Sequence, residues 1–183
     1  MGLDMTADLD EITLAALAAR DGDQRAAATF VRSTQADVWR FCVYLGNRDH
    51  AEDLAQETYL RAFRALPSFE ARSSARTWLL SIARRVCADA IRDAKRRPLT
   101  EPIADLLVEP AGRGDVAEGI ALRHAMSALQ RDRYEAFVLT QIVGMSYPEA
   151  AEACNCPVGT IRSRVARARS DLLDMVEGNR RPA

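Results

Sequence analysis

The sequence predicts an all-α protein made of two small helical domains joined by a flexible linker. Three observations lead there. Strand-like alternation is nearly absent, apolar residues recur at helical spacing almost throughout, and one acidic stretch carrying Pro and Gly interrupts that pattern. The interruption runs from Arg97-Pro98 to Asp115 and holds Pro98, Pro102, Pro110, Gly112 and Gly114 among Glu101, Asp105, Glu109 and Asp115. It divides the chain into a domain at 1–97, a linker at 98–117 and a second domain at 118–183. Each domain is near the lower size limit for independent folding.

Composition bounds what such a chain does. At 48% hydrophobic and 28% charged residues it buries a core, and a largely disordered chain is excluded. The formal charge is only −1, but its distribution is uneven. Residues 1–23 carry Asp4, Asp8, Asp10, Glu11, Asp21 and Asp23 against Arg20 alone. Residues 84–97 set Arg84, Arg85, Arg92, Lys95, Arg96 and Arg97 against Asp89 and Asp93, and residues 160–169 hold Arg162, Arg164, Arg167 and Arg169 with no acid. Two separated basic helices are an electrostatic footprint for nucleic acid, although solvated helix faces look alike by charge alone. The cysteines Cys42, Cys87, Cys154 and Cys156 are scattered and accompany no secretory segment, so a disulfide framework is not expected and the cytoplasm is the default location. Cys154 and Cys156 lack the spacing and the second pair of a zinc knuckle, so no metal or other cofactor is expected. No apolar run approaches the roughly 20 residues of a membrane span.

In the first domain, a helix over 51–66 places Ala51, Leu54, Ala55, Thr58, Tyr59, Ala62, Phe63 and Leu66 on one stripe expected to face the core. Asp53, Gln56 and Leu60 share a neighbouring face, where a leucine among polar residues suggests a partner surface. After Leu66-Pro67-Ser68-Phe69 a polar loop spans Glu70 to Ala75, and a long helix follows to about Arg97 with Leu79, Ile82, Ala83, Val86, Cys87, Ala90, Ile91 and Ala94 inward. Arg85, Asp89, Arg92 and Arg96 fall on another face, free to meet solvent or phosphate. Trp78, at the start of that helix, either packs or stacks on a base, with packing favoured, whereas Trp39 among Val38, Phe41 and Val43 is expected in the core.

The second domain carries the sharpest local signal. Ser146-Tyr-Pro-Glu149 is a capping box with Pro148 tolerated in the first turn, so a helix covers Tyr147 to about Cys154. Asn155-Cys156-Pro157 closes it, and a second helix runs from Val158-Gly159-Thr160 to about Glu177, which makes a helix-turn-helix. On an ideal wheel Ile161, Val165, Ala168, Leu172 and Val176 point inward, while Thr160, Ser163, Ala166, Arg167 and Ser170 point outward with Arg162 and Arg164 on the shoulders. Small residues allow close approach to a groove, and arginines contact phosphates or the guanine edge.

Three stretches together resemble the extracytoplasmic-function (group IV) sigma factors of bacterial RNA polymerase: Ala51-Glu-Asp-Leu-Ala-Gln-Glu-Thr58, Ala75-Arg-Thr-Trp-Leu-Leu-Ser-Ile-Ala-Arg84, and Cys156-Pro-Val-Gly-Thr-Ile-Arg-Ser-Arg164 with Arg167-Ala-Arg169. Their order and spacing match as well. The resemblance implies a sigma2-like helical bundle and a sigma4-like helix-turn-helix. It implies that Asp53, Gln56, Glu57 and Leu60 dock on the clamp coiled coil of β′ in a core polymerase whose β subunit is also a partner. It further implies that Phe69, Ser73, Ser74, Arg76 and Trp78 capture unpaired −10 bases, with Arg84, Arg85 and Arg92 near the duplex junction. Thr160, Arg162, Ser163, Arg164 and Arg167 would contact the −35 element. The acidic linker is similar to the segment that threads the RNA exit path, and an anti-sigma protein is left open as a further partner. Arg85 stands where the family often has Asn, Ala166 where a larger residue occurs, and Pro148 where an acidic or polar residue is typical.

On this reading the protein directs promoter-specific initiation and catalyses nothing itself. A self-sufficient helix-turn-helix regulator would need a dimer seam, and no sustained heptad repeat is present. An enzyme is the weakest alternative: no Gly-rich phosphate loop, nucleophile elbow or metal-ligand cluster is evident, and His50 and His124 lie in separate domains.

Overall fold

The computed structural model describes residues 9–46, 48–96, 125–126 and 128–178. The expected linker at 98–117, His124 and the first residues of the second domain lie outside them. Among the described residues the fold is all-α, as predicted, and the chain separates into two compact units, Met1–Arg97 and Pro98–Ala183.

Among the described residues of the first unit are four α-helices: α1 (Glu11–Arg20), α2 (Gln24–Leu45), α3 (Ala51–Ala65) and α4 (Ala75–Arg96). Asp10 caps α1 by accepting from the Thr13 amide at 3.0 Å. Asp23 caps α2 through the Arg25 and Ala26 amides. Between them Gly22 takes φ +101°, a left-handed turn that an L-residue enters with strain. The core of the unit holds the buried side chains of Phe30, Val38 and Phe41 of α2, Leu79, Leu80 and Ala83 of α4, and Ala62 of α3.

Buried hydroxyls are satisfied locally, Thr34 Oγ1 donating to the Phe30 carbonyl and Thr58 Oγ1 to that of Leu54, each at 2.7 Å. Cys42 and Cys87 meet across α2 and α4 with sulfurs 4.0 Å apart, and the hydrogen bond from Cys87 holds the Cys42 thiol below its ordinary pKa despite burial. Gly46 ends α2 where a Cβ would stand 2.3 Å from Leu54 Cδ1 and 2.7 Å from the Cys42 carbonyl oxygen, so only glycine fits this crossing.

Three residues expected in the core are not there: Ala94 is exposed near the end of α4, where the helix runs past the packed part of the unit, and two aromatics are also displaced. Trp39 is 48% exposed and Phe63 39% exposed. On an ideal wheel Trp39 lies about 100° from Val38 and about 160° from Phe41, so its apolar neighbours in sequence are not its neighbours in space. Phe63 lies about 100° from buried Ala62 and only about 20° from Gln56, which carries it off the packed stripe and toward the polar face of α3.

The second unit contains α5 (Arg131–Phe137), continued by a π-helical turn at Val138–Ile142, then α6 (Tyr147–Cys154) and α7 (Val158–Gly178). The capping box forms as expected: Ser146 Oγ accepts from the Glu149 amide, and the Glu149 carboxylate accepts from the Ser146 amide at 2.7 Å. Asn155 closes α6 in the left-handed conformation at φ 50°, and the Cys156 N–H reaches back to the Ala151 carbonyl at 2.9 Å. Ile161, Val165, Ala168 and Leu172 are buried against Ala136, Leu139 and Ala150. The Arg133–Asp171 ion pair, at 2.6 Å, fastens α5 to α7.

Candidate functional site

Three surfaces gather the residues singled out above. The first is the outer face of α3. Asp53 and Gln56 are exposed, and Leu60 is 54% exposed beside them. Glu57 is half-buried and ion-paired at 2.7 Å with Arg61, whose other nitrogen reaches Asp89 on α4 at 2.7 Å. Glu57 therefore helps orient the arginine that ties α3 to α4. Phe63, which the helical pattern assigns to the core, extends the same exposed face.

The second surface is the loop between the 3-10 turn Leu66–Ser68 and α4. Its polar composition and the Pro67 turn end α3 and lift the chain over the top of the unit. Ser68, Phe69, Glu70, Arg72, Ser73 and Trp78 enclose an open cavity of about 320 Å³, inside the range of roughly 300–1,000 Å³ typical of ligand pockets. Phe69 is only 4% exposed, and its ring meets that of Trp78 at a centroid distance of 4.8 Å with a 40° tilt. Trp78 thus both packs, against Phe69, and offers surface to the cavity. A salt-bridged pair, Glu70 and Arg72 at 2.6 Å, stands on the rim. Neither was singled out from the sequence; their place in a loop flanked by two aromatics was the available signal.

Ser74 belongs to the backbone of this region: its hydroxyl donates to Thr77 Oγ1 and accepts from the Thr77 amide, capping α4. Arg76 reaches Asp37 of α2 at 2.6 Å and is mostly buried there. Ala71 adopts φ 52°, a left-handed conformation unusual for alanine.

Further along α4, Arg84 is half-buried and Arg85 exposed, while Arg92 is ion-paired with Asp89. Hydrogen bonds from Arg61 and then Arg92 hold the Asp89 carboxyl below its ordinary value of 3.8. Arg61 is correspondingly raised, chiefly by Asp89 and next by Glu57. The basic face of α4 is thus partly neutralised by its own acids.

The third surface is the outward face of α7. Arg162, Ser163, Ala166, Arg167 and Ser170 are exposed and Thr160 half-exposed. Ser163 Oγ donates to the Thr160 carbonyl at 2.9 Å, while Arg162 and Arg167 have no hydrogen bond or ion pair with the described residues. Arg164 behaves differently: it turns back to pair with Asp132 of α5 and lies 4.0 Å from Cys156 Sγ. Arg169 donates to Gln141 at 2.8 Å. Among the described residues no group of three or more His, Cys, Asp or Glu is placed to hold a metal ion, and no helix is long and apolar enough to cross a membrane.

The chain's similarities to known proteins extend over both units. Residues 30–97 match Sigma-70 region 2, and residues 120–172 match Sigma-70, region 4. The ECF RNA polymerase sigma factor SigC of Mycobacterium tuberculosis is 50% identical over 175 residues, covering 92% of this chain and 93% of the relative. The ECF RNA polymerase sigma-E factor of Haemophilus influenzae is 32% identical over 194 residues, 94% of this chain and 98% of the relative. Among solved structures, the sigma factor RpoE of Bartonella quintana in complex with the anti-sigma factor NepR aligns at TM-score 0.71 and 31% identity, over 84% of this chain and 98% of that one. CnrH in complex with the cytosolic domain of CnrY aligns at TM-score 0.73 and 25% identity, over 92% and 99%.

Proposed function

This chain belongs to the extracytoplasmic-function RNA polymerase sigma factors, which direct promoter-specific transcription initiation, and we propose how its surfaces divide that task. The α3 face with Asp53, Gln56, Glu57 and Leu60 docks on core polymerase at the β′ clamp, and Phe63 widens the apolar part of that contact. The Phe69–Trp78 cavity takes a base extruded from the opened −10 element, with one face against aromatic rings and polar groups of the loop around its edge. Arg85 carries the backbone charge that follows. The α7 face enters the major groove at the −35 element, where Arg162 and Arg167 supply unpaired guanidinium groups and Ala166 and Ser170 permit close approach.

The observation that carries this reading is the pairing of one open, aromatic-lined cavity with one cationic helix on separate compact units. A cavity suits an unpaired base, and a protruding helix suits an intact duplex. The protein contributes binding free energy to the open complex and leaves the chemistry to the polymerase, acting in the cytoplasm. An anti-sigma protein is a further partner, a proposal supported by the complexes in which two structural relatives were solved.

Run-off transcription with core polymerase plus the purified chain on a genomic promoter library tests this. Initiation from a restricted set of start sites is expected, and absence of directed initiation would refute it. Leu60→Asp should abolish co-purification with core polymerase while far-ultraviolet circular dichroism stays unchanged, because Leu60 touches little of its own unit.

A further inference from the structure

The sequence match to Sigma-70 region 2 begins at residue 30, which leaves α1 outside it. Yet α1 grips the loop that walls the aromatic cavity, and it does so at both ends. At the loop entrance, Arg20 Nη1 donates to the Phe69 carbonyl at 3.0 Å. At the exit, Thr13 Oγ1 accepts the Ala75 amide at 2.9 Å. These contacts span 49 and 62 residues of sequence, and each is aimed by a second group. Asp21 accepts from Arg20 Nε at 2.9 Å and so orients the guanidinium. Asp10 accepts the Thr13 hydroxyl proton at 2.6 Å, which leaves an oxygen lone pair for Ala75. Thr13 is fully buried.

Between these two anchors lies Ala71 in its left-handed conformation. A strained residue persists only where its surroundings over-determine it, and a loop held at both ends meets that condition. The Phe69 amide is also fixed, donating to the Leu66 carbonyl at 2.9 Å. Both backbone polar groups of Phe69 are therefore engaged, and its ring meets Trp78 in a set position.

We propose that α1 is a clip that holds the cavity loop in its base-accepting form, with Arg20 and Thr13 as positioning residues that never touch DNA. This rests on the reading that the cavity accepts a −10 base. Holding the loop ahead of binding removes the ordering entropy that a free loop would lose on capture, and so tightens binding without adding a contact.

The test uses holoenzyme assembled from core polymerase and the full chain. Fluorescence anisotropy measures its affinity for a labelled non-template oligonucleotide carrying the −10 sequence found by run-off transcription, against a scrambled oligonucleotide. Arg20→Ala is expected to lower the preference for the −10 oligonucleotide by about tenfold, with polymerase association retained and Arg20→Lys recovering part of the loss. Thr13→Ser should behave as wild type, since it keeps the hydroxyl. Wild-type preference in Arg20→Ala would overturn the clip even if its unfolding midpoint fell. Trp78→Ala separates the two layers. If it leaves the preference intact, the base-capture reading fails and takes the clip with it; if it removes the preference while Arg20→Ala does not, only the clip fails.

Discussion

The two arginine-bearing helices of this chain look alike in sequence and differ in how their charge is paired. On α4, Arg76 is held by Asp37, Arg92 by Asp89 and Arg96 by Asp93, so much of the charge is neutralised within the unit. On α7, Arg162 and Arg167 stand exposed with no partner among the described residues. The difference teaches that cation count alone does not mark a DNA-reading face; on the proposed reading, the charge left over after internal pairing does, since Arg164 and Arg169 of α7 are engaged as well. On the proposed reading, the α4 unit captures a base chiefly by the shape of its aromatic cavity, with exposed Arg85 left for the backbone, whereas α7 acts by charge and close approach. Their responses to mutation and salt should therefore diverge.

The largest effect is expected at the cavity. Phe69→Ala removes a buried ring that supports Trp78, and the first unit should lose about 3–5 kcal/mol in urea unfolding. A change under about 1 kcal/mol would mean that the ring is not a structural wall of the pocket.

Next comes Arg167→Ala, which should weaken −35-dependent transcription by about 1–3 kcal/mol. It should also reduce the magnitude of the salt slope of promoter binding by about one if that arginine meets a phosphate. Unchanged activity across promoters with altered −35 elements would remove it from the interface. Arg164→Ala should do less to DNA affinity, because that side chain is committed to Asp132; equal losses at 164 and 167 would show that internal pairing does not govern which arginine reads DNA.

The smallest effect concerns acid. The folded-state pKa of Asp89 is depressed, so its contribution to stability is present above the ordinary carboxylate value and lost as pH falls through the depressed one. Asp89→Asn should therefore cost roughly 0–1 kcal/mol near neutrality, the group being partly solvent-screened, and flatten the loss of stability below about pH 4. Parallel acid limbs for wild type and variant, followed by thermal unfolding, would show that the α3–α4 charge network is not what holds the α4 cations in place.

Much of this arrangement was legible in the sequence. The helix-turn-helix boundaries came from chemistry confined to a few adjacent residues: the Ser146–Glu149 capping box, the Asn155 turn and the 3.6-residue spacing of Ile161, Val165, Ala168 and Leu172. The long α4 and the loop before it were legible for the same reason. What periodicity missed depends on the third dimension. Trp39 looks like core from its apolar neighbours in sequence and Phe63 from a stripe drawn wide enough to include its edge, and the structure leaves both exposed. The pairing of Arg76 with Asp37 joins residues on different helices, and the grip of Arg20 on Phe69 spans about half of the first unit. No local pattern encodes such contacts. The fold class depends on local rules, whereas the state of each charged site residue depends on who stands opposite.

The division of labour between cavity and helix is tested most directly by a cycle that crosses protein variants with promoter variants. Open-complex formation would be measured with core polymerase plus wild type, Trp78→Ala or Arg167→Ala, on promoters altered singly at the −10 or the −35 element. Trp78→Ala should erase sensitivity to the −10 change and keep sensitivity to the −35 change, and Arg167→Ala should do the reverse. If each variant lost sensitivity to both elements equally, or to neither, the separate grips described above would be contradicted.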